Sequence, residues 1–408
     1  MPFKTEDRTI LRDLASEIAE AAANPVMAER RRLWKQHNGL QRVRPMILVF
    51  PEGAWRELLP RDVLECGDEQ ARDIEWQLRL RLYYRDHIPD DSVMENEWVV
   101  QKVFTNSGWG LEPRHVPSTL PEGAWGFDPV IKEPADLDKL RYPEVHYDEV
   151  ATQTKLAQAQ DLLGDILQVK LKGIGHMSFH LMHIYTGLRG LEQVMLDMCE
   201  NPQMLHDAMA FMEEGHHRLV QQYLDLNLFS LNNDSTYHSS GGVGYTDELP
   251  RIGYDPNHIT PADMWASAEA QEMAQIGPEM HEEFSLDYEK RLLAPFGLNG
   301  YGCCEDLSGK IESVLRIPNI RRISISPFAD VDRSAEALGS KAIYSWKPHP
   351  AHLVGFDEDR VRQYIRHTLD VTRGCVIEMI LKDTHTCEHH PERFTRWTEI
   401  ARELVEEY

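Results

Sequence analysis

Two adjacent cysteines, Cys303 and Cys304, end an apolar stretch that glycines interrupt, FGLNGYGCCEDLSGK over residues 296–310. Glu305 and Asp306 follow them directly. Free cysteine is among the most buried residue types, so both thiols could be ordinary core groups. Thiolates beside carboxylates are also donors that zinc prefers, so the same motif could hold a metal.

A second set of donors favours the metal. The segment LKDTHTCEHH over 381–390 brings Cys387 and three histidines to the end of another β-branched stretch. A catalytic zinc site combines thiolate, imidazole and carboxylate ligands and keeps one position open for the substrate. Strand alternation would turn Cys303 and Cys304 to opposite faces, so we expect Cys303 to be the better ligand.

Upstream carboxylates could complete the site. Glu282 lies in GPEMHEEF, on an expected first helical turn, and Glu269 lies before it in WASAEAQEM. Both also fit solvated helix residues, and that interpretation stays open. The candidate metal ligands are therefore Cys303, Cys387, Glu282, Cys304 and Glu269.

Further polar side chains occur where the other candidate strands end, which is where a barrel enzyme collects its reactive groups. Asp234 and Lys382 are the predicted catalytic groups. The predicted substrate contacts are Glu52, His180, Asn232, Tyr301 and Lys347.

The elements that would position these groups are short stretches rich in β-branched or aromatic residues. They predict strands over 44–50, 98–104, 166–173, 226–233, 294–302, 320–326, 341–346 and 375–381. Stretches with helical periodicity lie between several of them, which predicts an α/β fold with a parallel sheet. Eight such units predict a (β/α)8 TIM barrel over 44–408, preceded by an N-terminal helical extension over 1–43.

The sequence also contains two long inserted βα loops, over 105–150 and 234–265, that a minimal barrel does not need. The second is rich in glycine, and loops of this length are usually lids, binding loops or interfaces. If it is a lid, we expect its SSGGVGY segment to be cut readily by protease in the free protein and protected when substrate or corrinoid protein is bound. Aromatic residues in these loops could line a substrate pocket or anchor the loops, namely Trp109, Trp125, Tyr237 and Tyr245.

Composition limits the partners. The chain of 408 residues carries a formal charge of −24, which argues against nucleic acid because a phosphate backbone needs a basic footprint. No apolar run approaches the roughly 20 residues that cross a bilayer, so we expect no membrane span and a cytoplasmic location. Six irregularly spaced cysteines predict free thiols rather than a disulfide scaffold. A homo-oligomer is compatible with these features.

From about residue 40 onward the sequence resembles the uroporphyrinogen decarboxylase superfamily, and within it the corrinoid-dependent methyltransferase branch. Tyr301-Gly302-Cys303-Cys304-Glu305 is similar to the His-x-Cys-Gly-Asp pattern of those methyltransferases. In that pattern Cys303 matches the zinc-binding cysteine, and Cys387 occupies the place of the last cysteine ligand. Tyr301 replaces the family histidine, so the resemblance makes Glu282 or Glu269 more attractive as a ligand.

The resemblance implies an O-demethylase-like methyltransferase. Such an enzyme uses zinc as a Lewis acid on a small methylated donor, here expected to be a methyl ether, and a corrinoid (cobalamin) on a partner protein takes the methyl group. The alternative is a metal-free decarboxylase-like lyase in which Asp234 relays a proton. The decarboxylases carry paired arginines after the first strand, whereas VFPEGAWRELLP has only Arg56, accompanied by Glu52 and Glu57.

Overall fold

A computed structural model describes residues 3–119, 126–238 and 241–408. Its helices are α1 (Thr5–Ala22), α2 (Pro25–Asn38), α3 (Trp55–Leu58), α4 (Glu69–His87), α5 (Glu149–Leu163), α6 (Leu181–Arg189), α7 (Leu191–Glu200), α8 (Pro202–Asp225), α9 (Pro278–His281), α10 (Asp287–Leu293), α11 (Ile311–Val314), α12 (Val331–Leu338), α13 (Glu358–Val371) and α14 (Glu392–Glu406). A π-helical turn over Glu282–Leu286 joins α9 to α10.

The strands are two to six residues long. They are β1 (Met46–Val49), β2 (Glu97–Gln101), β3 (Val103–Asn106), β4 (Arg114–Val116), β5 (Gly126–Asp128), β6 (Val145–Asp148), β7 (Gln168–Lys172), β8 (Ser178–Phe179), β9 (Trp265–Ala268), β10 (Leu298–Tyr301), β11 (Ile320–Ile325), β12 (Ile343–Trp346) and β13 (Val376–Leu381).

A seven-stranded sheet organises the molecule, in the order β1-β13-β12-β11-β10-β9-β8. All of its pairings are parallel, as strands joined by crossover helices must be. Its strands are buried on both faces, which explains why they read as continuous apolar runs. The sequence prediction of an α/β fold with a parallel sheet is confirmed.

The ladders of the described ranges do not close this sheet into a barrel. β2 pairs with β7 in a separate parallel ribbon, and segment 226–233 contributes an isolated bridge, Ile174 to Phe229, instead of the predicted strand. The outer edge of β1 pairs with a turn: the backbone N–H groups of Ile47 and Val49 donate to the carboxylates of Asp91 and Asp90. The closed eight-stranded barrel therefore stays a prediction.

The N-terminal helices pack into the body of the protein. α2 lies against the face of the sheet that carries Met46, Leu48 and Ile380, and Trp34 is fully buried among these residues. His37 Nε2 lies 3.0 Å from the Glu378 carboxylate on β13, so a buried hydrogen bond between distant segments holds the helix in place. The described part of segment 1–43, from residue 3, contains the helices α1 and α2, and α2 forms part of the core.

The inserted loop 234–265 differs from its prediction. Residues 241–246 are all buried, and a Cβ on Gly241 would lie 1.7 Å from the Ser345 hydroxyl oxygen. A Cβ on Gly244 would lie 1.8 Å from the carbonyl oxygen of Asn232. These glycines are needed because the loop packs closely against side chains of the sheet and against the Asn232 backbone. The expectation of an exposed, readily cut segment is therefore wrong for 241–246. Ser239 and Ser240 lie outside the described residues.

Candidate active site at the carboxyl ends of the strands

The turn after β10 brings the two thiols together. Gly302 has φ +90°, a conformation that favours glycine, and a Cβ there would lie 2.6 Å from a Leu307 methyl carbon. The strand therefore ends at Tyr301, and the alternation that was expected to separate the cysteines no longer applies. The Sγ atoms of Cys303 and Cys304 are 3.6 Å apart, and both residues are half-buried.

Hydrogen bonds from buried polar groups hold this turn in place. Glu305 is almost fully buried, and its carboxylate accepts the backbone N–H of Cys303 at 2.8 Å and that of Ala270 at 3.2 Å. The Ser324 hydroxyl donates to the carbonyl oxygen of Cys303 at 2.8 Å, and Lys347 in turn donates to Ser324. The ends of β9, β10, β11 and β12 thus position one loop.

Glu269 ends β9 beside the thiols and not on a solvated helix. Its Oε1 lies 2.6 Å from Nδ1 of His180, which follows β8, while its Oε2 is buried without a hydrogen-bond partner in the described chain. Burial alone would raise the pKa of Glu269, but its hydrogen bond with His180 and the nearby Cys303 thiol lower it. The side chain is therefore an anion with one uncommitted oxygen.

Two lysines add positive charge at the next strand ends. Lys347 is completely buried after β12, and burial lowers its pKa to about 8. Lys382 follows β13 and lies 3.5 Å from the Asp383 carboxylate. Burial would lower the pKa of Lys382, but the surrounding acidic groups, Tyr237 and Cys303 among them, raise it.

Glu52 lies opposite, after β1. Its Oε2 accepts the backbone N–H of Asp383 at 2.8 Å, and both residues have positive φ, +46° and +58°. Burial raises the pKa of Glu52, and the nearby Lys382 opposes that shift. The structure thus brings seven predicted groups to the carboxyl ends of the strands, namely Glu52, His180, Glu269, Cys303, Cys304, Lys347 and Lys382.

Cys387 has a different environment. It is fully buried, and its thiol donates to Oε2 of Glu57 at 3.1 Å. The same oxygen accepts the backbone N–H groups of Cys387 and His389, each at 3.0 Å. Burial and the Glu57 carboxylate raise the pKa of the Cys387 thiol to about 11. Its sulfur is therefore held as a neutral thiol by Glu57, which lies on α3.

Glu282 and Tyr301 also have other partners. Glu282 contacts Lys290 at 2.7 Å and Arg316 at 2.5 Å, on the helical side of the sheet. The Tyr301 hydroxyl is buried between Nε2 of His281 at 3.0 Å and Oε2 of Glu289 at 2.8 Å. Neither residue is brought to the thiol pair by these contacts.

Asp234 and Asn232 are bound to other partners. Asp234 forms an ion pair with Lys172 and accepts the Thr236 hydroxyl at 2.6 Å. Burial would raise the pKa of Asp234, but Lys172 lowers it. The side-chain amide of Asn232 donates to the carbonyl oxygen of Trp265 and accepts its backbone N–H, each at 2.9 Å. These two hydrogen bonds join segment 226–233 to β9.

Among the loop aromatic residues that the structure describes, Tyr237 lines a cavity. Trp109 packs on Phe211 and His216, and Tyr245 donates to Glu95. The Tyr237 ring lies 4.5 Å from that of Phe50, next to Lys382. Trp125 lies outside the described residues.

The donor set fits zinc in kind. Two thiolates on one tetrahedral zinc, at about 2.3 Å each, would be separated by about 3.8 Å, close to the sulfur–sulfur distance here. Oε2 of Glu269, which has no hydrogen-bond partner in the described residues, is a third candidate donor near Cys303. Across residues 3–119, 126–238 and 241–408, no group of three or more donors is already arranged as a metal site.

The sequence reasoning missed Glu305 and Ser324 as positioning groups and Glu57 as the partner of Cys387. Glu305 carried a readable signal, since it directly follows the cysteines at a strand end. Ser324 and Glu57 gave none, because their roles depend on contacts across 21 and 330 residues of sequence.

No protein-family model and no curated protein matches the chain. Among solved structures, a methyltransferase from Methanosarcina mazei is similar to it, with 10% sequence identity and a TM-score of 0.49. The match covers 92% of this chain and 97% of that chain. Similarity at this level does not carry an activity over to the present protein. No helix of the described ranges is both long and apolar enough to cross a membrane.

Proposed function

We propose that this protein is a methyltransferase that moves a methyl group from a small methylated donor, a methyl ether, to a corrinoid carried by a partner protein. One observation carries the proposal: Cys303, Cys304 and the uncommitted oxygen of Glu269 lie together at the carboxyl ends of β9 and β10. The motif resemblance around Cys303 supports the same reaction class. The ribbon β2–β7 and segment 226–233 would complete the barrel that this class uses.

Cys303, Cys304 and Glu269 would hold the zinc. Zinc would polarise the ether oxygen as a Lewis acid, and the corrinoid would accept the methyl group. Glu305 and Ser324 hold the cysteine turn in place, so the two thiols are positioned before any ligand binds.

Lys347 and Lys382 would supply the proton or the positive charge that the leaving oxygen needs. Removing a methyl group from an ether leaves an alkoxide or phenolate, whose negative charge needs a nearby cation or a proton. Lys382 stays charged near neutral pH because its pKa is raised. Lys347, with a pKa of about 8, can carry a proton at Nζ and release it within the working range.

The test follows the conversion of cobalt(I) to methylcobalt by absorbance, with a reduced corrinoid protein and a panel of methylated phenols, alcohols, thiols and amines. We expect transfer from an ether in the wild type and a loss of about 100-fold or more in Cys303→Ala, since a metal Lewis acid is worth several kcal/mol. Cys199→Ala, which changes an exposed cysteine, is the matched control. Transfer by Cys303→Ala at the wild-type rate, or efficient decarboxylation of uroporphyrinogen, would overturn the proposal.

A further inference from the structure

The adjacent thiols of Cys303 and Cys304 can undergo a reaction that needs both of them. Their Sγ atoms are 3.6 Å apart, whereas the two sulfur atoms of a disulfide lie about 2.05 Å apart. Rotation of the two side chains has to close a gap of only about 1.5 Å. Because both residues belong to one turn, oxidation to a disulfide needs no movement of distant segments.

The turn itself keeps the two thiols together. The chain bends through residues 303–305, directly after Gly302 with its positive φ. The Glu305 carboxylate accepts the backbone N–H of Cys303, and the carbonyl oxygen of Cys303 accepts the Ser324 hydroxyl, each at 2.8 Å. Since the backbone is held on both sides of Cys303, the sulfur atoms stay within reach of each other when no ligand is bound.

The pair is accessible to a small oxidant. Both residues are half-buried, so part of their surface contacts solvent. Lys347 and Lys382 are close enough to both thiols to interact with them electrostatically. Reactive cysteines are typically partly exposed and close to positive charge, and a neighbouring cysteine resolves the first oxidation product.

The other four cysteines have different surroundings. Cys66, Cys375 and Cys387 are buried, and each of their thiols donates to an oxygen atom of another segment. Cys199 is exposed on α7. These four thiols are therefore an internal reference for the reactivity of the pair.

We propose that Cys303 and Cys304 form a reversible disulfide when a peroxide oxidises them, and that this disulfide prevents zinc from binding. One thiol attacks hydrogen peroxide, the O–O bond breaks, and the sulfur becomes a sulfenic acid as water leaves. The second thiol attacks that sulfur, the S–S bond forms, and a second water leaves. In total each sulfur atom loses one electron and each peroxide oxygen gains one.

A disulfide between adjacent residues should be easy to reduce. Consecutive Cα atoms are about 3.8 Å apart, less than the roughly 4.4–6.8 Å that is usual between bridged cysteines. The resulting strain favours reduction, which is typical of regulatory disulfides. In the oxidised form both sulfur atoms are in the S–S bond, so neither is a thiolate that zinc can use. The effect on methyl transfer rests on the proposed function, whereas formation of the disulfide does not.

The test treats the zinc-free 408-residue chain with hydrogen peroxide, stops the reaction with catalase and alkylates the remaining thiols with iodoacetamide. Trypsin then releases residues 292–310 as one peptide, which contains Cys303, Cys304 and no other cysteine. In the wild type, mass spectrometry should show that this peptide has lost two hydrogen atoms and both alkylation sites. A phosphine reductant should restore both sites.

Single variants separate disulfide formation from simple oxidation. Cys303→Ser and Cys304→Ser each keep one thiol of the pair, so their peptides should gain oxygen atoms and should not lose two hydrogen atoms. Cys199→Ser is the matched control, because it removes an exposed thiol elsewhere, and its 292–310 peptide should behave as in the wild type.

A second measurement follows zinc by elemental analysis after gel filtration. Reduced wild type should bind about one zinc per chain, and the oxidised protein should bind less than about a tenth of that amount. Treatment with the phosphine reductant, followed by zinc, should restore the full content.

The wild type decides the outcome even if the variants fail to fold. A 292–310 peptide that keeps both alkylation sites, or that only gains oxygen atoms, would overturn the inference and leave the zinc site of the proposed function untouched. A reversible disulfide in a protein that binds no zinc when reduced would support the disulfide and remove that zinc site. Equal zinc binding before and after disulfide formation would refute the claim that oxidation excludes the metal.

Discussion

Cys303 and Cys387 both follow a strand of the same parallel sheet, yet their surroundings differ. The Cys303 thiol lies beside Cys304 and the uncommitted oxygen of Glu269, with two lysines at the ends of β12 and β13. The Cys387 thiol donates to a single carboxylate, Glu57, and is fully buried. A residue that follows a strand lies at the carboxyl end of the sheet, where the candidate site is. Whether its side chain can act as a ligand or nucleophile depends on the groups around that side chain.

The largest expected effect of this difference is on metal content. After expression with zinc, the wild type should contain about one zinc per chain. Cys303→Ser should lose the metal, whereas Cys387→Ser should retain it, because Cys387 is held by Glu57 outside the donor cluster. Elemental analysis of the three purified proteins checks this. Equal loss in both variants would show that Cys387 moves to join the site, as the motif resemblance implied.

The comparison also shows what the sequence could predict. Strand-end positions for Cys303, Lys347 and Lys382 followed from apolar runs, because strands buried on both faces leave a plain signal. β9 was missed because WASA is four residues of mostly small side chains, which read equally well as helix. Glu269 was therefore expected on a helix, although it ends a strand.

Contacts between distant segments could not be predicted. Burial of α2 depends on His37 meeting Glu378 across 341 residues, and the buried glycine loop depends on close approach to Ser345. Periodicity reports which residues avoid water, but it does not report which segments meet. The same limit explains why Glu57 was not seen as the partner of Cys387.

A smaller effect is expected on thiol reactivity. In metal-free protein the hydrogen bond from Cys303 lowers the pKa of Cys304, while the pKa of Cys387 is raised to about 11. Since the thiolate is the reactive form, iodoacetamide at pH 8 should modify the Cys303–Cys304 pair at least about tenfold faster than Cys387. Peptide mass spectrometry over time gives both rates. Zinc should protect the pair and leave the Cys387 rate unchanged; faster modification of Cys387 would reverse the comparison.

The smallest effect concerns stability at the Cys387 loop. Glu57→Gln replaces a carboxylate that accepts two backbone N–H groups and the thiol, which should lower the free energy of unfolding by about 1–3 kcal/mol at pH 7. Methyl transfer should stay within about twofold, because Glu57 touches none of the proposed zinc ligands through these bonds.

The pH dependence of that loss identifies its origin. Burial would raise the pKa of Glu57, but hydrogen bonds from Thr386, His389 and Cys387 lower it from its ordinary 4.5 to about 2. A carboxyl whose pKa is lower in the folded state stabilises the protein fully above its unfolded pKa, and that contribution falls as the pH drops from about 4.5 toward 2. The difference in stability between wild type and Glu57→Gln should therefore be constant from pH 7 to about 5 and shrink below that. Urea unfolding at pH 7, 5, 4 and 3.5 measures it. A difference that stays the same down to pH 3.5 would mean that the Glu57 charge does not hold the loop, and that shape alone keeps Cys387 away from the active edge.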